Sequence, residues 1–404
     1  MTTQVVQPRF RGFIAITAHP DGCAANVRRQ VEVAQAGLPG SGIGNALVVG
    51  SSAGYGLASL LAVCFGSGAK TLGVCLERSS TEDKVGTAGW YNLVEAHRLA
   101  REQGCTLETI NGDAFSHEVK REAVEALRSS RRGEGDRFGK LDLLIYSLAA
   151  PRRKDADSDT VWSSVLKPVS GVYDGKSIDL RRDEVVQRTL EPCTEAELEA
   201  TIKVMGGEDW VAWVETLREA DLLADGFRTV AFSYIGAPMT YPIYRQGTIG
   251  KAKEHLEATA LEIAARLESH CGGHAWVSVN QAVVTQASAA LPAVALYLSL
   301  LFKVMQEAGT DEGPIEQLVR LLRDHIGPGA TPTVDGEHRI RLDDLEMEPQ
   351  IQSRVAEIWE RVTTANLAEI SDYAGYKRDF EQLFGFSVPG IDYDAPTEVH
   401  RQLV

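Results

Sequence analysis

The segment "YPIYRQGTIGKAK", Tyr241 to Lys253, brings two tyrosines, two glycines and two lysines together. A phenol and an ammonium are a pair that can handle a proton beside a transferred hydride. The hydroxyl hydrogen-bonds an oxygen on which charge is growing, or gives it a proton. With an ordinary pKa near 10 the phenol is a reluctant acid, and a nearby cation helps by favouring the phenolate left behind. Tyr244 and Lys253 are nine positions apart. At about 100° per residue this comes to roughly 900°, half a turn out of phase on a continuous helix. Gly247 and Gly250 lie between them. We therefore expect Tyr244 on an irregular loop and Lys253 in the first turns of the following helix, pointing back. On these residues alone, a tyrosine packed under a loop and a solvent lysine is the simpler account.

A second group suits a dinucleotide. Gly50, Gly54 and Gly56 in "VVGSSAGYGLAS" form G-x-x-x-G-x-G between an apolar β-branched run and a small-residue helix pattern. Glycines there permit a sharp turn and close backbone approach to a pyrophosphate, with unpaired N–H groups at the helix start facing the anion. A tight strand–helix turn without a ligand is the competing reading. Glu77 closes the next apolar run and can accept the hydroxyls of an adenosine ribose. A carboxylate there repels a 2′-phosphate, which favours NADH over NADPH, although the adjacent Arg78 tempers that preference. Otherwise Glu77 is an ordinary solvated acid at a strand end. Asp113 in "NGDAF" can receive an adenine amino group, a weak signal by itself.

The elements that must position these groups alternate. Strand patterns at "NALVV", "TLGVCLER", "CTLETINGDA", "LDLLIYSLAA", "FRTVAFSYIG" and "HAWVSVNQAVVT" are separated by helical patterns. That order implies an α/β fold with a Rossmann-type doubly wound parallel sheet. We expect residues 1–150 to be the dinucleotide-binding half and the turn-rich 151–226 an insertion capping the site. Residues 227–310 would complete the core with the Tyr/Lys pair, and 311–404 would be mainly helical, with a hairpin at "TPTVDGEHRIRL". The 404 residues carry a formal charge of −15, which argues against a nucleic-acid footprint. The six cysteines are scattered without metal-ligand spacing and read as reduced thiols. The run "ASAALPAVALYLSLLF" is too short to span a bilayer and reads as a core helix. No secretion pattern opens the chain, so the expectation is a cytoplasmic protein without membrane insertion, of a length that suits a monomer.

Taken together, "RGFIAITAHPDGC", "VVGSSAGYG", "AGWYN", "YSLAAPRR", "KVMGGEDW", "FSYIGAPMTYPIY", "GTIGKAK", "AVVTQASAALP" and "TANLAEISDYAGY" resemble the FabV-type trans-2-enoyl-thioester reductases from about residue 7 to about residue 395. The resemblance implies NADH-dependent saturation of enoyl-CoA or enoyl-acyl-carrier-protein, with Tyr244 and Lys253 matching the family's Tyr-x8-Lys pair. It assigns Gly50, Ser51, Ser52, Ala53, Gly54 and Tyr55 to the pyrophosphate turn. Leu76 and Glu77 would contact the ribose, Asp113 and Ala114 the adenine, and Leu148 and Ala149 the cleft wall. Val283, Val284 and Thr285 would close over the nicotinamide, Lys253 would bind its ribose, and Tyr234 would touch the substrate thioester. The alternatives are a homologue specialised for an unusual or anionic thioester, or an idle NADH-binding sensor.

The family's aromatic "WPxYW" pattern is here "YPIYR", which sets Arg245 beside Tyr244. Arg245 either points to solvent or caps a helix, or else it lowers the Tyr244 pKa or receives an acidic acyl chain. Arg152, Arg153 and Lys154 either meet carrier phosphates as a cluster or form a solvated loop. His19, His97 and His117 fall in separate segments and form no site.

Overall fold

The computed structural model describes residues 3–403 apart from 12–13, 41, 129–137, 149, 287 and 289–293, and the side chain of Ile14. The apolar runs form β1 (Asn45–Val49), β2 (Lys70–Cys75), β3 (Leu107–Asn111), β4 (Leu141–Tyr146), β5 (Leu223–Ser233) and β6 (His274–Val279), and a further strand is β7 (Arg339–Arg341). They make a seven-stranded sheet in the order β7-β6-β5-β4-β1-β2-β3, parallel at every pairing. The chain winds outward from β1 to β3 and returns through β4 to wind the other way. The direction reverses between β1 and β4, where open α/β sheets bind ligands at the carboxyl ends of their strands.

Side-chain alternation along the strands selects the two faces. Ala46 and Val48 of β1, with Leu143 and Ile145 of β4, meet one layer of helices. That layer comprises α1 (Pro20–Gly37), α2 (Gly54–Leu61) and α3 (Ala88–Gln103). Leu47, Val49, Leu144 and Tyr146 point the opposite way. There they meet α4 (His117–Arg128), α6 (Glu208–Glu219) and α7 (Thr248–Cys271), while α5 (Glu195–Met205) lies along α7. The apolar run after residue 293 becomes α8 (Val294–Ala308), a buried core helix. It packs with α10 (Pro349–Arg361), while α9 (Pro314–Leu321) joins the α1–α2 layer. No helix among the described residues is long and apolar enough to cross a membrane.

Two segments differ from the sequence reading in an informative way. The 151–226 stretch begins with two antiparallel hairpins, Arg152–Lys154 with Val161–Ser163 and Tyr173–Asp179 with Glu184–Leu190. Its second half belongs to the core, because Trp210 and Trp213 of α6 are fully buried against the sheet. The hairpin expected at "TPTVDGEHRIRL" shrinks to a tight turn and one bridge, Val334 to Ile340. Arg339–Arg341 instead extends the main sheet beside β6. Burial of Ile340 in the core favours that pairing over an isolated two-stranded ribbon.

Candidate active site

The turn after β1 is built by close approach. Gly50 has φ +87°, and a Cβ there would lie 2.2 Å from the Ser147 carbonyl oxygen. A Cβ at Gly56 would lie 1.8 Å from the Gly50 carbonyl oxygen, so the first turn of α2 rests directly on the β1 turn. Ala53 at the start of α2 offers no side-chain cap. The first N–H groups of the helix therefore face a cleft of about 500 Å³, where an anion would satisfy them.

Most of the expected residues line this cleft. Gly50, Ser52, Ala53, Gly54 and Tyr55 form one wall, and Leu76, Glu77, Asp113 and Ala114 one end, the end where adenosine was expected. Leu148, Val283 and Thr285 lie along its length, and Tyr234, Tyr244 and Lys253 stand at the far end. Two residues do not line it. Ser51 is fully buried with its hydroxyl 3.2 Å from the Val74 carbonyl, so it ties the turn to β2. Val284 turns into the apolar cluster around α8, because neighbours on extended backbone point to opposite sides. Ala149 lies outside the described residues.

Glu77 is held from three directions. Its Oε1 accepts the Ser52 hydroxyl at 2.6 Å. Asn111, at the end of β3, accepts from the Glu77 N–H at 2.7 Å and donates to its carbonyl at 2.9 Å. A Cβ on Gly89 would come within 2.1 Å of the same carboxylate, which would have to move from its present place. The Asp113–Phe115 loop is pinned by Lys120, fully buried, which donates to the carbonyls of Ala114 (3.0 Å) and Phe115 (3.1 Å). Lys120 is paired with buried Asp209 at 2.7 Å, and Tyr146 donates to the other Asp209 oxygen at 3.1 Å. Asn111 and Lys120 were not singled out in the sequence. The strand-end asparagine beside "GDA" was the visible signal for the first, and nothing local marks the second.

Tyr244 sits on turns that end at Gly247, and α7 begins at Thr248. The Tyr244 carbonyl accepts from the N–H groups of Gly247 (3.0 Å) and Gly250 (3.1 Å). Lys253 is thus on the second turn of α7 and points back, donating to the Phe232 carbonyl at the end of β5 at 2.8 Å. Burial lowers its pKa to about 8, with Glu257 opposing the shift. The Tyr244 ring packs edge-on against Tyr234, centroids 5.0 Å apart. Tyr244 is buried and its phenol is pushed up by desolvation alone. Its hydroxyl has no protein hydrogen-bond partner among the described residues and lies on the cleft wall. The Tyr234 hydroxyl donates to Glu346 at 3.0 Å, a residue the sequence did not point to.

Arg245 keeps clear of the reaction centre, as the plainer of its two readings had it, though an ion-pair network rather than solvent or a helix end holds it. Its guanidinium turns away from Tyr244 to Glu257 (3.1 Å) and Glu337 (3.9 Å), within a network that includes Arg339. Two carboxylates draw it outward, so it neither lowers the Tyr244 pKa nor reaches the cleft. The Arg152–Lys154 cluster also comes apart. Arg153 is buried and paired with Glu208 at 2.8 Å, Lys154 pairs with Asp159 at 3.1 Å, and Arg152 alone lines the cleft mouth.

Comparison with known proteins follows the same division. Residues 84–326 match the family described as the trans-2-enoyl-CoA reductase catalytic region, and residues 5–82 its NAD(P)H binding domain. An NADH enoyl-acyl-carrier-protein reductase of Opitutus terrae is 47% identical over 99% of this chain and 100% of its own. The crystal structure of Clostridium acetobutulicum trans-2-enoyl-CoA reductase in complex with NADH superposes with TM-score 0.93, at 40% identity and 98% coverage of each chain. That of the Treponema denticola enzyme in complex with NAD gives 0.91, at 43% identity and 98% coverage of each. Residues 334–397 match a family described as an enoyl reductase FAD binding domain. The residues there do not fit a flavin. None of them lines the cleft, and β7 runs into α10 without a glycine-rich turn. The groove beside residues 336–338 gathers Glu254, Glu257 and Glu337 against Arg245, which is already paired with Glu257, so a diphosphate would meet an excess of negative charge.

Proposed function

The chain belongs to the trans-2-enoyl-CoA reductase family, and from that membership and the geometry of the cleft we propose that it reduces the double bond of trans-2-enoyl thioesters with NADH. The observation that carries the mechanism is the Tyr244 hydroxyl, free of protein partners among the described residues and on the cleft wall beside Tyr234. NADH, when bound, supplies the hydride that saturates the β-carbon. The turn from Gly50 to Tyr55 and the start of α2 would hold its pyrophosphate, and Glu77 its adenosine ribose. The ammonium of Lys253, held at the end of β5 by the Phe232 carbonyl, would hold the nicotinamide ribose. The negative charge that then develops on the thioester oxygen would be stabilised by a hydrogen bond from Tyr244, and a proton added at the α-carbon would complete the saturation. The substrate thioester is carried on CoA or on acyl carrier protein.

The test is NADH oxidation with crotonyl-CoA by the parental enzyme and by Tyr244→Phe. We expect the phenylalanine variant to lose about 10²- to 10⁴-fold in kcat, with NADH affinity unchanged. Parental turnover by Tyr244→Phe would remove Tyr244 from the chemistry. NADH binding without turnover of any enoyl thioester would favour a sensor instead.

A further inference from the structure

Behind Tyr234, on the side away from the cleft, lies a carboxylate with no part in the mechanism above. Glu346 is fully buried, on the turn between β7 and α10. Its Oε1 accepts the hydroxyls of Tyr234 (3.0 Å) and Tyr297 (2.8 Å), and its Oε2 accepts the N–H of Ala282 (2.6 Å). Gln352 donates to the Tyr297 hydroxyl at 3.1 Å and to the Glu346 carbonyl at 2.7 Å. The titratable neighbours are Tyr234 after β5, Tyr297 on α8, Tyr55 on α2 and Asp343 on its own turn, with Tyr244 beyond Tyr234. Arg341, the nearest cation in sequence, is committed to Asp343 at 2.7 Å and Asp335 at 3.4 Å. Burial therefore dominates and raises the Glu346 carboxyl to about 7.

These contacts constrain the Tyr234 hydroxyl, which has a single proton to give. While Glu346 is ionised, that proton is directed at Oε1 and only lone pairs face the cleft. When Glu346 is protonated, its proton sits on Oε1, because Oε2 faces an N–H. Directed at Tyr297, it would strand the Tyr297 proton in a fully buried place, at a cost of about 1–3 kcal/mol. Directed at Tyr234, it frees the hydroxyl proton of a residue that lines the cleft.

We propose that Glu346 is a positioning residue whose proton sets the direction of the Tyr234 hydroxyl, making Tyr234 a hydrogen-bond donor toward the substrate oxygen when Glu346 is protonated and an acceptor when it is not. The proposal rests on the reading of Tyr234 as a substrate contact. Glu346→Gln mimics the protonated state toward Tyr234, keeping an oxygen for Ala282 and presenting N–H to Tyr234, while the Tyr297 hydroxyl loses its acceptor, at a cost of about 1–3 kcal/mol in stability. Between about pH 6 and pH 8 the parental kcat with crotonyl-CoA falls about tenfold, as expected of one group titrating near neutrality. Glu346→Gln keeps most of its low-pH activity and lacks that fall, whereas Glu346→Leu is impaired at every pH. Infrared difference spectra give a readout without turnover: a protonated-carboxyl band, absent from Glu346→Gln, fades over the same range. No such band at low pH, or a parental pH profile in Glu346→Gln, overturns the proposal. Should Glu346→Leu not fold, Glu346→Gln decides. If the parental enzyme reduces no enoyl thioester, the proposed function fails, and the band still decides whether Glu346 holds the proton.

Discussion

Gly250→Ala is a small change with a large expected effect. In a helix, alanine is favoured over glycine by about 1 kcal/mol, so propensity alone predicts a more stable protein. At this position the added Cβ would stand 2.0 Å from the Arg245 carbonyl oxygen and 2.5 Å from that of Tyr244. Both atoms are backbone and cannot swing aside like a side chain. The Tyr244–Arg245 peptide must retreat by about 1 Å to reach even a tight contact, stretching the 3.1 Å bond from the Gly250 N–H to the Tyr244 carbonyl. The phenol moves with its backbone, and a misplacement of about 1 Å at a reacting group can cost about 10²-fold in rate. We expect kcat with crotonyl-CoA to fall by about that factor and Tm to fall despite the gain in propensity. NADH affinity, set largely at the Gly50–Glu77 end, stays as it was. Steady-state kinetics, NADH fluorescence titration and thermal melting together decide it. A variant with parental kcat and a raised Tm would refute the reasoning, since it would mean that the start of α7 does not fix Tyr244.

Lys253, with a pKa held near 8 by burial, carries its ammonium below that pH and loses it above. NADH affinity should therefore weaken as pH rises through about 8, and Lys253→Met should bind weakly at every pH; a flat parental profile argues against the ribose contact. The folded pKa lies below the unfolded value near 10.4. This group's contribution to stability is therefore full above the unfolded value and is lost as pH falls through about 8. Glu77→Ala removes the carboxylate that repels a 2′-phosphate, and the NADPH-to-NADH ratio of kcat/KM should rise at least about tenfold, equivalent to about 1.4 kcal/mol; an unchanged ratio would place selectivity elsewhere. Arg245→Trp should leave selectivity between neutral and anionic enoyl thioesters unchanged, because its side chain faces Glu257. It should lower stability by about 1–2 kcal/mol, measured by denaturant unfolding; a shift in substrate preference would return Arg245 to the site.

The sequence alone determined what local chemistry determines. Strand runs bounded by helical patterns specify the parallel sheet, because each element must bury one face. Gly50 before α2 marks a tight turn that needs positive φ, and Gly247 before α7 starts the helix after Tyr244, so that Lys253 does not share one continuous helix with it. Tertiary structure alone decided which way individual side chains turned. The sequence left Arg245 open between solvent or a helix end and the reaction centre, and Glu257 and Glu337 decided it by drawing the guanidinium away. Ser51 and Val284 belonged to the right segments but to the wrong side of the chain. Glu346 reaches Tyr234 across 112 positions, and Asn111 reaches Glu77 across the β2–β3 register, Cys75 opposite Asn111. Such partners leave no periodicity and no spacing to read, because the contact exists only after the sheet has closed and burial has made an unpaired polar group costly.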